Sequence, residues 1–284
     1  MVDDTLNKKN TTEDDKTSDE LKRIEIDILK LFISICKQHN LTYFIIGGTA
    51  LGAYRHGGFI PWDDDIDVAM PRSDYESFLK YAQSEFPPNY FLQTHLTDKE
   101  YNAIYAKIRN SNTTFLETAA RNLNINHGVF IDIFPIDGLP NARKDIKRIS
   151  RQRRIVKRAL AIHYYPHTLK RVFGGILSRL LLFKFTNKAI ISYFEKKSKK
   201  YKYEKCDLVI CHGGAYGDKE ILKKEYYGKG SEIRFESLTV IGPERIEDYL
   251  STIYGDYMIL PPIEKRVAHH YCDIIDLKKG LNNK

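Results

Sequence analysis

The stretch from Phe44 to Val68 constrains this chain more than any other part of it. It reads Phe-Ile-Ile-Gly-Gly-Thr-Ala-Leu-Gly-Ala-Tyr-Arg-His-Gly-Gly-Phe-Ile-Pro-Trp-Asp-Asp-Asp-Ile-Asp-Val. Thr42–Ile46 is an apolar run with the character of a buried strand; Gly47-Gly48 follows, and Thr49–His56 fits a short helix closed by Gly57-Gly58. A strand that ends in a glycine pair and turns into a helix lets backbone N–H groups approach a phosphate with no Cβ in the way. Thr49 adds a hydroxyl at the helix start. Taken alone, a glycine pair is more often only a turn.

The acidic part is more specific. Asp65 and Asp67 flank Ile66 at the start of a predicted strand, Ile66–Met70. Alternation sends both carboxylates to one face and Ile66 into the core. Neighbouring like charges repel unless a cation neutralises them, and carboxylate oxygens with water and phosphate suit Mg²⁺ or Mn²⁺. Asp63 and Asp64 precede the strand and read equally well as a solvated acidic loop. A third carboxylate would complete a metal clamp. Asp132 leads, because it sits inside the apolar run Val129–Phe134, where an unpaired charge is costly. Asp137 is the runner-up. The other reading of Asp132 is a strand carboxylate paired with a lysine or arginine.

Lys107 and Arg109 alternate along a predicted strand, so they face one side and suit a phosphate clamp; an exposed basic pair on an edge strand has the same spacing. Trp62 borders the acidic run beside Arg55 and His56, and either stacks on a base or quaternary ammonium or packs in the core. His269 and His270 offer substrate or phosphate contacts, with no spaced third ligand to make them a metal site.

Around this centre the pattern is α+β. Thr17–Glu20 reads as a capping box opening a helix to Gln38, with Ile24, Ile28, Leu31 and Ile35 on its buried face. Ser73–Phe86 is a predicted helix. Strand signals fall near Tyr90–Thr94, Ala103–Arg109, Thr113–Glu117, Val129–Phe134, Leu208–Cys211 and Ile233–Ile241, and Pro243–Tyr254 is a last helix. Residues 1–16 read as a disordered lead-in, 17–140 as a catalytic core, 141–205 as a basic helical insertion, and 206–284 as the part completing the core.

Composition narrows the function classes. The 284 residues are 42% hydrophobic and 29% charged, enough for a sizeable core. No apolar run reaches the roughly 18–20 residues of a spanning helix, and Met1–Asp15 has no apolar stretch of a signal peptide. Four cysteines without a CxxC pair fit a reduced, cytoplasmic protein. The net charge of +8 is concentrated in Arg143–Arg158 and Lys196–Lys205. Such surfaces meet nucleic acid, anionic lipid or a phosphorylated substrate, or are simply solvated helix faces.

Several motifs together, Gly-Gly-Thr-x-Leu-Gly, Trp-Asp-Asp-Asp-Ile-Asp-Val and Phe-Ile-Asp-Ile-Phe-Pro-Ile-Asp-Gly-Leu-Pro, resemble the LicD family, whose relatives include fukutin and fukutin-related protein. The resemblance takes in Lys107–Thr113 and the tail Tyr254–His270, running from about Leu41 to His270 and loosely over Ala161–Lys205. It implies a nucleotidyltransferase-like mixed sheet with surrounding helices. It assigns catalysis and metal binding to Asp65, Asp67 and Asp132. It places the family's glycine pair at Gly47 and Gly48; Thr49, Lys107, Arg109, Lys265 and Arg266 join them as the expected nucleotide and phosphate contacts, with Trp62, His269 and His270 as the expected substrate contacts. The implied reaction is Mg²⁺- or Mn²⁺-dependent transfer of phosphocholine, or a related phosphoalditol, from a CDP-alcohol to a hydroxyl of a cell-envelope glycan such as a teichoic acid or lipopolysaccharide. The alternatives are attachment of NMP to a small molecule or sugar phosphate, and a non-enzymatic basic protein that binds membrane or nucleic acid; no nucleic-acid motif supports the last.

A lipid-linked acceptor would bring the protein to the inner face of the membrane. In Leu169–Phe183 the residues Leu169, Val172, Phe173, Ile176, Leu180 and Phe183 share one helical arc with cations outside it. That arc suits an interfacial helix, or one packed on the catalytic core.

Overall fold

In a computed structural model of the chain, residues 4–161, 169–267 and 271–281 are described. Helix α1 (Asp4–Gln38) leads to β1 (Phe44–Ile45), α2 (Gly47–His56), β2 (Asp67–Pro71) and α3 (Arg72–Glu85). Strands β3 (Tyr90–Gln93), β4 (Ala106–Asn110), β5 (Thr114–Glu117) and β6 (Val129–Leu139) follow. The insertion holds α4 (Arg143–Ala161), α5 (Leu169–Leu181) and α6 (Asn187–Ser198). The chain then forms β7 (Leu208–Cys211), β8 (Ile221–Lys223), α7 (Lys224–Tyr227), β9 (Ser231–Phe235), β10 (Leu238–Gly242), α8 (Ile246–Tyr254) and β11 (Cys272–Asp276). This is the α+β architecture expected, a mixed sheet with helices around it.

Seven strands make the main sheet, in the order β1-β2-β6-β4-β3 with β7 and β8 continuing from β6. Only β2 and β6 run parallel within it; the other pairs are antiparallel. Strand β6 is the spine: every residue from Val129 to Leu139 is buried. Its pairing with β4 ends at Ile133 and its pairing with β7 starts at Ile136, so Pro135 falls at the handover. A residue without an N–H costs least where one edge has no partner.

Helix α1 closes the core with Ile28, Leu29, Phe32 and Ile35, while Ile24 and Leu31 are only partly buried. The capping box does not start this helix. Residues 4–16, expected as a disordered lead-in, continue it upstream, since Thr, Asn, Asp and Lys without Gly or Pro do not break a helix once it is nucleated. Strand Ile233–Ile241 is in fact the hairpin β9–β10, turning at Glu236 with φ of 54°.

The insertion packs through its own small core of Val156, Leu160, Ile190, Ile191 and Phe194 against Ile104. Helix α5 corrects the packing expectation for its apolar arc. Its inner side is Gly175 and Ser178, whereas Phe173, Ile176, Leu180 and Phe183 are exposed, Phe173 at 74%. Small residues let α5 lie close on α4, which turns the large side chains outward. Leu169 and Val172 lie outside the described side chains.

One buried ion pair ties helix α3 to the spine. Arg72 donates from Nε to Asp137 Oδ1 at 2.8 Å and from Nη2 to Oδ2 at 2.6 Å. The Asp137 side chain is fully buried. Removing one partner from such a pair costs about 3–5 kcal/mol. Arg72→Ala should therefore lower the unfolding free energy by that much, read as a lower urea midpoint at unchanged slope; an unchanged midpoint would show the pair to be dispensable.

Candidate functional site

The site forms where the β1–α2 turn meets the ends of β2 and β6. Gly47 adopts φ of 55°, the left-handed region that glycine tolerates best. A Cβ there would sit 3.0 Å from Asp67 Oδ2, and a Cβ on Gly48 would sit 2.5 Å from Asp63 Oδ2. The glycine pair thus admits two carboxylates against the first turn of α2, where the helix dipole favours negative charge. The Gly47 N–H, expected to face a phosphate, donates instead to Tyr249 Oη at 2.9 Å. Thr49 Oγ1 accepts from the Asp67 N–H at 2.8 Å and so fixes the start of β2.

Strand β2 begins at Asp67, so Asp65 lies in the extended segment just before it. The alternation holds regardless: Ile66 is fully buried, and its carbonyl accepts from the Asp132 N–H at 2.9 Å. Asp67 and Asp132 are register partners on the parallel strands β2 and β6, which puts both side chains on one face. Burial, followed by the charges of Asp65, Asp132 and Asp63, holds the Asp67 carboxyl well above the ordinary range. Asp63, Asp64 and Asp65 bring ligand atoms within 4.8 Å of one another. Asp63 is buried, at 6% exposure, so it is not part of a solvated loop. This donor set, all carboxylate oxygen and closely gathered, fits a hard divalent cation.

Lys107 is the register partner of Asp132 from the other side, and its Nζ lies 3.0 Å from Asp132 Oδ1 and 3.7 Å from Glu117 Oε1. It also sits 3.2 Å from the centroid of the Phe130 ring. Arg109 shares that face, as the spacing required, but it is fully buried and committed to protein. Its Nε donates to Gln93 Oε1, Nη1 to the Gly128 carbonyl and Nη2 to Glu117 Oε2. A guanidinium so engaged supports the sheet rather than clamping a phosphate. Asp137 has both carboxylate oxygens taken by Arg72, whereas Asp132 meets Lys107 through Oδ1, the lysine pairing that was the other reading of that residue.

Trp62 is half-buried, with His56 edge-on at 6.5 Å between centroids and the Arg266 guanidinium 5.4 Å from its ring centroid. The tail thus reaches the acidic run through Arg266, whose Nε donates to the Pro261 carbonyl at 2.9 Å, while Lys265 is exposed. His269 and His270 lie outside the described residues.

Two residues escaped the sequence reading. Tyr249, buried on α8 with Leu250 and Ile253, holds the glycine turn. Glu25 on α1 is 2% exposed, and its Oε2 has no hydrogen-bond partner among the described residues. Burial and then the charges of Asp65, Asp64 and Asp63 raise its carboxyl well above the ordinary range. Its signal was a lone carboxylate on the stripe Leu21, Glu25, Ile28, Phe32.

Comparison with known proteins finds a matching family and curated relatives. Residues 40–176 match the family described as LicD/FKTN/FKRP, nucleotidyltransferase domain. The lipopolysaccharide cholinephosphotransferase LicD of Haemophilus influenzae is 31% identical over 254 residues, covering 86% of this chain and 92% of that protein. An uncharacterized protein of Rickettsia prowazekii is 49% identical over only 37 residues, 13% of this chain and 14% of that one. With the motifs in order along a similarity that spans nearly the whole chain, this protein belongs to the LicD family.

Proposed function

We propose that the protein transfers phosphocholine from a CDP-activated donor to a hydroxyl of a cell-envelope glycan. The observation that carries this reading is the register pairing of Asp67 with Asp132, with Asp65 beside them, in a chain similar over most of its length to a cholinephosphotransferase. Asp65, Asp67 and Asp132 would hold Mg²⁺ or Mn²⁺. The chemistry such a cation supplies is charge neutralisation on the donor diphosphate and the departing CMP.

The chain's own residues do the rest. Gly47 and Gly48 leave room for the carboxylates, Tyr249 and Thr49 fix the turn, and Lys107 orients Asp132. Asp132 would share that cation or take the proton of the acceptor hydroxyl.

A peripheral membrane contact belongs to the same proposal. Among the described residues no helix is long and apolar enough to cross a membrane. Helix α5 and its exit nevertheless expose Phe173, Leu177, Leu180, Leu181, Phe183 and Phe185. Arg179 and Lys184 lie beside that face, matching an anionic lipid surface in charge.

Protein incubated with CDP-choline, a glycan acceptor and Mg²⁺ should release CMP. Release of pyrophosphate from a nucleoside triphosphate instead would favour nucleotidyl transfer. EDTA should stop the reaction and Mg²⁺ or Mn²⁺ restore it, and Asp67→Asn should slow it roughly 100-fold or more. Full activity in metal-free buffer would refute the cation assignment.

Vesicle sedimentation tests the surface. Binding should be seen with anionic but not neutral vesicles and be weakened by Phe173→Glu with Leu180→Glu. No binding at low salt, or self-association through α5, would refute it.

A further inference from the structure

A cavity of about 220 Å³ lies where the insertion meets the far end of β6. Gly138, which lines it, stands six positions beyond Asp132 on that strand, about 20 Å of extended chain. The cavity is therefore distinct from the carboxylate site. A Cβ on Gly138 would meet the Tyr201 carbonyl at 2.7 Å, so glycine lets the exit of α6 close over the strand. Arg148 and Gln152 of α4 line the same space.

The lining is polarised. His212, Ser198 and Phe194 are buried, whereas Arg148, Lys197 and Lys200 are exposed at the rim. Among the described residues that line it there is no carboxylate. Arg148 pairs with Asp145, one turn earlier, at 3.0 Å. Lys197 and Lys200 lie against the rings of Tyr193 and Tyr201, at 5.4 and 5.5 Å from the centroids, and form no ion pair among the described residues. Cations suit the last turn of α6 in any case, since the helix dipole is negative there. Arg148 comes from another helix, so one helix end does not account for the rim.

The floor has a different chemistry. His212 is 2% exposed, and its Nδ1 has no hydrogen-bond partner among the described residues. Its Nε2 faces Asp137 Oδ2 at 3.9 Å. Burial brings the imidazole down to about 4, so it is neutral at pH 7, and its one proton belongs on the nitrogen that faces the carboxylate. Nδ1 then presents a lone pair to the cavity floor. Ser198 Oγ donates to the Phe194 carbonyl at 3.1 Å, which leaves its oxygen to accept as well. A bare phosphate brings only acceptors to this floor, whereas a hydroxyl donates to it. We propose that this cavity binds a phosphorylated sugar or polyol, with its phosphate against Arg148, Lys197 and Lys200 and a hydroxyl on His212 Nδ1. The site is separate from the transfer chemistry; filled, it ties α4 and α6 to β6 and stabilises the fold by mass action.

Calorimetric titration with glucose 6-phosphate, inorganic phosphate and glucose tests it, with EDTA present so that no cation occupies the carboxylate site. Glucose 6-phosphate should bind most tightly, inorganic phosphate about fivefold more weakly, and glucose not measurably. Lys197→Glu with Lys200→Glu, both on the surface, should weaken glucose 6-phosphate about tenfold or more, and Asp67→Asn should leave its binding unchanged. His212→Phe should bring glucose 6-phosphate down to the affinity of inorganic phosphate. If that variant does not fold, the paired lysine variant still decides. Equal affinity for glucose 6-phosphate and inorganic phosphate, full binding after the lysine reversal, or binding lost in Asp67→Asn overturns the site. So does a wild type that ignores millimolar glucose 6-phosphate.

Discussion

Carboxylates cannot be gathered on a buried face without something to offset their repulsion, and most of the architecture around this site answers that requirement. Asp67 and Asp132 face the same way because two parallel strands are in register. Lys107 compensates Asp132 from the next strand, and the turn into α2 offers the positive end of a helix to Asp63 and Asp67. The two glycines matter as absences of bulk: a methyl at either would displace a carboxylate. Tyr249, from the far end of the chain, then fixes that turn by one hydrogen bond.

Charge elsewhere is handled by pairing. Arg72 binds Asp137, Arg109 spans Gln93, Gly128 and Glu117, and Arg153 meets Asp218 at 3.0 Å. These cations let strands with polar residues sit in the interior, where an unpaired charge would be costly. The carboxylates of the Asp63–Asp67 run instead crowd one another, Asp63, Asp64 and Asp65 bringing ligand atoms within 4.8 Å, which is why they stand out as a place for a cation.

What could be read from the sequence followed from local rules. Strand alternation put Asp65 and Asp67 on one side, the cost of a charge inside an apolar run singled out Asp132, and alternation also put Lys107 and Arg109 together. Their roles depended on distant partners. Arg109 looked like a clamp until Gln93 and Gly128 on neighbouring segments took its donors. Asp63 looked like loop because its burial depends on the missing side chain of Gly48. Periodicity found the apolar arc of α5 but carried no information about which way it points; Gly175 and Ser178 decided that by packing inward. Residues 4–16 read as a lead-in because polar composition alone does not distinguish a solvated helix from a coil, and they extend α1.

The insertion enters the sheet after Leu139 and leaves before Leu208, and these two residues are register partners on β6 and β7. Its ends are thus already neighbours, as in a long hairpin loop. The length of the excursion is therefore not set by the strands it joins. The excursion is nonetheless tied back to the sheet it leaves, since Gly138 on β6 donates its N–H to the Tyr201 carbonyl at 3.2 Å and Lys157 on α4 grips the carbonyls of Gly213 and Gly214 just past β7.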